Sequence, residues 1–105
     1  MSVIMTMRAA GDPAALERYA AEHPDEIKNI SQRGQQAGAT AHRFYGAEGQ
    51  IMVVDEWPDP ASFQQFFESE RANIEPIMAA SGMTGEPEVT FWRKLETGDE
   101  IGWAD

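Results

Sequence analysis

The chain has 105 residues, with 18 acidic against 8 basic, a formal charge of -10, 42% hydrophobic residues and no cysteine. That is one domain's length with a modest core, to which a second copy would usefully add buried area. The charge argues against nucleic acid, the missing cysteines exclude disulfides, thiolate nucleophiles and Cys-type zinc sites, and no run of about 18 apolar residues is available to span a membrane.

Val3 to Arg8 alternates as a strand, with Val3, Met5 and Met7 on one face. The start lacks the basic residues and long apolar stretch of a signal peptide, so the expected location is the cytoplasm. Gly11-Asp12-Pro13 opens a helix, Asp12 capping the free backbone donors and Pro13 taking the first helical position. Leu16, Tyr19 and Ala20 form its apolar stripe. Pro24 interrupts, and Asp25 and Glu26 open a second stretch with Ile27 and Ile30 inward, fading at Gly34 to Gly38. The spacing predicts a bent or two-part helix.

Ala39 to Tyr45 and Gln50 to Trp57 are β-rich runs around Gly46-Ala47-Glu48-Gly49, which predicts a hairpin. Pro58 and Pro60 stop the second strand. Asp59 or Ser62 then starts a helix whose stripe is Phe63, Phe66 and Phe67, continued by Ile74, Ile77 and Met78 past a bend at Pro76. Gly82 and Gly85 end it, and Glu88 to Lys94 is the last strand. Residues 1–95 form the domain and 96–105 an acidic tail, which is most simply solvated or, through Ile101 and Trp103, docks on a partner subunit.

The order is β-α-β-β-α-β, the ferredoxin-like α+β arrangement of a four-stranded antiparallel sheet with its helices on one face. An isolated domain of this kind leaves its second face polar. Here Ile51 and Val53 occupy one face of the strand, and Met52 and Val54 the other. A second sheet packed on that face, in a homodimer, is the economical cover.

The chain resembles the dimeric α+β barrel superfamily, in its antibiotic-biosynthesis-monooxygenase-like branch. Residues 3 to 95 carry the resemblance, above all the run Met52 to Phe67, in which a hydrophobic strand ends in tryptophan and an acidic turn leads into a phenylalanine-rich helix. Chemistry varies across the superfamily. Its haem-degrading members use an asparagine on the first strand, with a tryptophan and a ligating histidine on the second helix. Here the first strand has no asparagine, Phe66 takes the tryptophan's place, and residues 60 to 80 hold no histidine. The cofactor-free monooxygenases ionise a phenolic or anthrone-like substrate whose carbanion then reduces oxygen, and the resemblance implies an aromatic or polyketide-like ligand with no cofactor.

If Gly46 faces Gly49, then His42 faces Val53 and Phe44 faces Ile51. His42, Phe44, Asp55 and Trp57 then share one face, with Asp55 diagonal to His42. The imidazole is a candidate general base oriented by Asp55, and Trp57, Phe44, Phe63 and Phe66 are candidate cavity walls. Arg43 and Tyr45 fall on the opposite face. Arg43 is either a partner for an anionic substrate or half of an interface ion pair with Glu56. Glu22-His23-Pro24-Asp25-Glu26 clusters ionisable groups without a recognised metal spacing, so a solvated helix junction is expected and no metal. Two other classes compete with the oxygenase reading: a non-catalytic ligand-binding or accessory barrel, and an oxygen-independent isomerase or lyase using the same pair. A cavity of a few hundred cubic ångströms beside His42, Asp55 and Trp57, with the imidazole exposed to it, would favour a ligand site.

Overall fold

The computed structural model describes residues 2–103; the ends of the N-terminal strand region and of the acidic tail, at Met1 and Ala104-Asp105, lie outside the described residues. The elements run β1 (Val3–Ala10), α1 (Pro13–Glu22), α2 (Pro24–Gln36), β2 (Ala41–Ala47), β3 (Gln50–Trp57), α3 (Pro60–Ala80) and β4 (Thr84–Trp92). The four strands form one antiparallel sheet in the order β2-β3-β1-β4, the ferredoxin-like topology.

Local chemistry explains the boundaries. Asp12 caps α1 by accepting from the Ala14 N–H at 3.0 Å, with Pro13 behind it. Pro24 separates α1 from α2, so the bent or two-part helix is two helices. Asp59 caps α3 by accepting from the Ser62 N–H at 2.8 Å, and that bond lowers the Asp59 pKa because it favours the charged form. Pro76 sits inside α3 without ending it. The helix stops at Ala80, where Gly82 supplies a positive φ of 69°.

Several strand boundaries differ from expectation, and β4 also ends at Trp92 instead of Lys94. β1 continues to Ala10, and β4 begins at Thr84 instead of Glu88, because Ala10 pairs with Thr84 beyond an irregularity after Arg8. Pro87 is tolerated there because β4 is an edge strand, where a missing donor need not break a ladder. β2 spans Ala41–Ala47, two residues later than predicted, and a two-residue turn at Glu48 and Gly49 closes the hairpin. The register therefore moves by two: His42 pairs with Asp55, not Val53, and Phe44 with Val53, not Ile51. A shift of two preserves the faces, so the grouping of side chains survives while the diagonal becomes a direct pair.

One sheet face packs on the helices. Met5, Met7, Val53, Trp57 and Phe63 form one buried cluster, and Leu16, Ile51 and Ile77 another. The helices are also tied to each other. Arg33 on α2 donates from Nε and Nη2 to the two oxygens of Glu70 on α3, at 2.7 and 2.8 Å, and the Asn73 amide adds a third donor at 3.1 Å. Gly34, one residue on, is buried against Phe66; a Cβ there would lie 3.3 Å from the ring.

The other face carries Ile4, Met52, Val54, Tyr45 and Trp92, all of them half-buried or exposed. The Trp92 indole donates to Thr6 Oγ1 at 2.8 Å across this face. From residue 93 to 103 the chain has neither helix nor strand, and Ile101 and Trp103 are 89% and 83% exposed.

Candidate functional site

The site grows from the alternation of β3. Ile51, Val53, Asp55 and Trp57 point to the helices, and three of these four are ordinary core residues. Asp55 is the exception, a carboxylate only 6% exposed. A buried charge is tolerable only when its oxygens are well bonded. Here each has a donor: Oδ1 lies 2.7 Å from His42 Nδ1, and Oδ2 accepts from Trp57 Nε1 at 3.1 Å. The imidazole sits between Asp55 and the ring of Phe44, whose edge-to-face contact has centroids 5.2 Å apart.

This arrangement specifies the histidine's tautomer. A carboxylate only accepts, so Nδ1 carries the proton and, in the neutral ring, Nε2 is left with a lone pair. Trp57 locks the carboxylate in turn, and is itself held by Phe63 and Phe66 at centroid distances of 5.8 and 5.4 Å. The result is an imidazole held in one orientation on a strand pair, backed by an aromatic cluster.

His42, Asp55, Trp57, Phe44, Phe63 and Phe66 all line a cavity of about 90 Å³ between the sheet and the helices. Its other walls come from α2, α3 and β1, with methionines 5, 7, 78 and 83 among them. The lining is almost wholly apolar; its polar side chains are His42, Asp55, Ser31 and the Trp57 indole. The volume falls short of the few hundred cubic ångströms expected, because the phenylalanines of α3 fill part of the layer. A dry cavity that accepts benzene measures about 150 Å³.

A second depression of about 210 Å³ lies outside it, lined by Ser31, Gln32, Gln35, Ala39, Thr40, Ala41 and His42. Ser31, Ala39 and His42 belong to both linings, so the two spaces adjoin at these three residues. Arg43 and Tyr45 do not join the cavity. Strand alternation turns them to the open face, where Arg43 donates to the Tyr45 hydroxyl at 3.3 Å. Glu56 is engaged there by Ser2 and Thr40, at 3.2 and 2.6 Å, instead of by Arg43. At the α1–α2 junction the His23 ring stacks on Tyr19, and Tyr19 donates to Glu26. Among the described residues no group of three histidine or acidic side chains is placed to hold a metal.

The sequence reading missed the α2 wall. Ile27, Ile30, Ser31 and Gly34 follow the i, i+3, i+4, i+7 spacing of one helix face, a signal that was available. It read Trp57 only as a cavity wall, whereas its indole N–H is also the second donor to Asp55.

Solved structures were compared with this geometry. SnoaB, a cofactor-independent oxygenase from Streptomyces nogalater, superposes with a TM-score of 0.59 at 15% identity, over 94% of this chain and 98% of its own. A protein described as an antibiotic biosynthesis monooxygenase gives a TM-score of 0.59 at 13% identity, over 91% of this chain and 100% of its own. The fold is that of the antibiotic biosynthesis monooxygenase-like proteins. A dimeric ferredoxin-like protein from an uncultured marine organism gives 0.63 at 13% identity, over 95% of this chain and 93% of its own. No family model matches the sequence, and neither does any curated protein. Identities this low carry the fold and leave the chemistry to the site.

Proposed function

We propose that this chain is a homodimeric, cofactor-independent oxygenase that takes a small aromatic or polyketide-like molecule at the cavity beside His42. The observation that carries the proposal is the Trp57–Asp55–His42 chain of hydrogen bonds ending at an apolar cavity. Nε2 of His42 removes a proton from a phenolic or anthrone-like substrate, and Asp55 stabilises the imidazolium that forms. The resulting carbanion reduces O₂. Conversion of a CH₂ group to C=O gives up four electrons, which take one oxygen atom into the product and release the other as water. The apolar walls keep competing water from the anion. No further redox group is needed for that balance.

The dimer is supported by the open sheet face, where Ile4, Met52, Val54 and Trp92 have no helix layer above them. The barrel so formed would also back the sheet that carries the base. The 13% identical ferredoxin-like relative, described as dimeric, supports the same assembly.

Oxygen uptake with an anthrone, in the wild type and His42→Ala, tests the reaction. Turnover that falls a hundredfold or more in the variant is expected for a general base, about the lower end of such contributions. An unchanged rate removes His42 from the mechanism. Product formed without oxygen would move the protein to the isomerase or lyase class, and binding without product to the class of ligand-binding barrels.

A further inference from the structure

We propose that the outer depression at Ser31, Gln32, Gln35 and Thr40 is a second subsite of the same binding site, and that it takes an uncharged hydrogen-bonding substituent, such as a carboxamide or hydroxyl, next to the acidic group of the ligand. The proposal rests on the cavity reading above and adds the class of ligand.

Volume is the first argument. The inner cavity, about 90 Å³, is smaller than the roughly 150 Å³ that encloses a benzene ring. A ring placed there must extend past His42, and the space it meets is the outer depression of about 210 Å³. Together the two approach the lower end of ligand pockets, about 300 Å³.

Chemistry is the second. The inner walls are apolar, while the outer walls are a serine, a threonine and two glutamines beside His42. Among the described residues the Ser31 hydroxyl and the Gln32 and Gln35 amides have no hydrogen-bond partner. Amides and hydroxyls both donate and accept, so they suit a ligand group that does the same. The lining holds no lysine or arginine, and the chain carries a net charge of -10. A carboxylate finds no cation in this groove.

Position is the third. His42 and Ser31 stand where the two spaces join. A phenolic hydroxyl presented to Nε2 therefore lies at the junction, and a substituent ortho to it falls in the polar groove while the ring body points inward.

Four probes test this: phenol, 2-hydroxybenzamide, its near-isostere 2-isopropylphenol, and 2-hydroxybenzoate. Binding is read by quenching of tryptophan fluorescence and by calorimetry. The amide is expected to bind about tenfold tighter than the isopropyl compound, the gain of one or two neutral hydrogen bonds, and tighter than the benzoate. In a Gln32→Ala/Gln35→Ala variant, and separately in Ser31→Ala, the ratio of amide to isopropyl affinity should fall towards one. These are helix-surface or half-buried positions where alanine favours the helix, so folding is preserved. Phenol binding with no preference for the amide overturns the subsite and leaves the cavity reading standing. An amide preference that survives both variants overturns it equally. Failure of all four probes to bind overturns both readings, and tightest binding of the benzoate replaces the neutral substituent by an anionic one.

Discussion

Asp55→Asn replaces one carboxylate oxygen by an NH₂ group and should silence His42 as a base without unfolding the protein. The indole of Trp57 can only donate, so the asparagine oxygen must face it, across the 3.1 Å now spanned to Oδ2. The NH₂ group then faces His42 Nδ1, 2.7 Å from the present Oδ1. Two donors cannot share that contact. Nδ1 must give up its proton and accept, which moves the proton to Nε2 and removes the lone pair there. The cost in stability is the difference between a charge-assisted and a neutral hydrogen bond, about 1–2 kcal/mol, reduced by relief from burying a charge. The cost in activity is far greater; the same exchange in serine proteases lowers kcat about ten-thousand-fold. Nitrogen-15 spectra of the neutral imidazoles read the tautomer directly, with His23 as the internal control. The wild type should show Nδ1 protonated and the variant Nε2 protonated. If His42 keeps the same tautomer in both proteins, Asp55 does not orient it and the reasoning fails.

Further outcomes follow from the packing. Glu70→Gln should lower stability by about 1–2 kcal/mol at neutral pH, since Arg33 is 44% exposed on its side chain and can rehydrate. Hydrogen bonding from Arg33 holds the Glu70 carboxyl below the usual carboxylate range, so this increment is present above the unfolded pKa of about 4.3 and lost as pH falls through the lower folded value. Urea titrations should therefore show the gap between the two proteins closing only in acid. Phe63→Ala removes a ring that is 5% exposed and packs on Trp57, Phe67 and Phe91. A loss of about 3–4 kcal/mol is expected by denaturant melting, and a loss under 1 kcal/mol would mean that the aromatic cluster is not a close-packed layer. Val54→Glu places a charge on the open sheet face between Thr6 and Arg43, its neighbours across β1 and β2. It should yield a folded monomer by light scattering and circular dichroism, whereas an unaltered oligomeric state would remove this face from the interface.

How much of this was legible beforehand depends on the range of the interaction. Asp12-Pro13, Pro24, Asp59-Pro60 and Gly82 act on backbone a few residues away, and the helix boundaries they imply are those observed. Alternation along β3 assigned Asp55 and Trp57 to the helix-facing side, because a strand's period of two depends on local geometry alone. The same alternation separated Arg43 and Tyr45 from His42. Register is another matter. It depends on how the turn closes, and moving from a four-residue to a two-residue loop turned a diagonal His42–Asp55 relation into a direct pair. Neither the Arg33–Glu70 clamp, 37 residues apart in sequence, nor the approach of Gly34 to Phe66 is visible until α2 and α3 are laid on the sheet. Cavity volume was furthest from reach, being the small remainder after Phe63, Phe66 and the methionines have packed against one another. Element order, strand faces and caps are thus determined by the sequence itself, through contacts a few bonds long. Pairing register, the Arg33–Glu70 ion pair and the space beside His42 were decided only by the tertiary structure, since each is set by side chains that meet from distant parts of the chain.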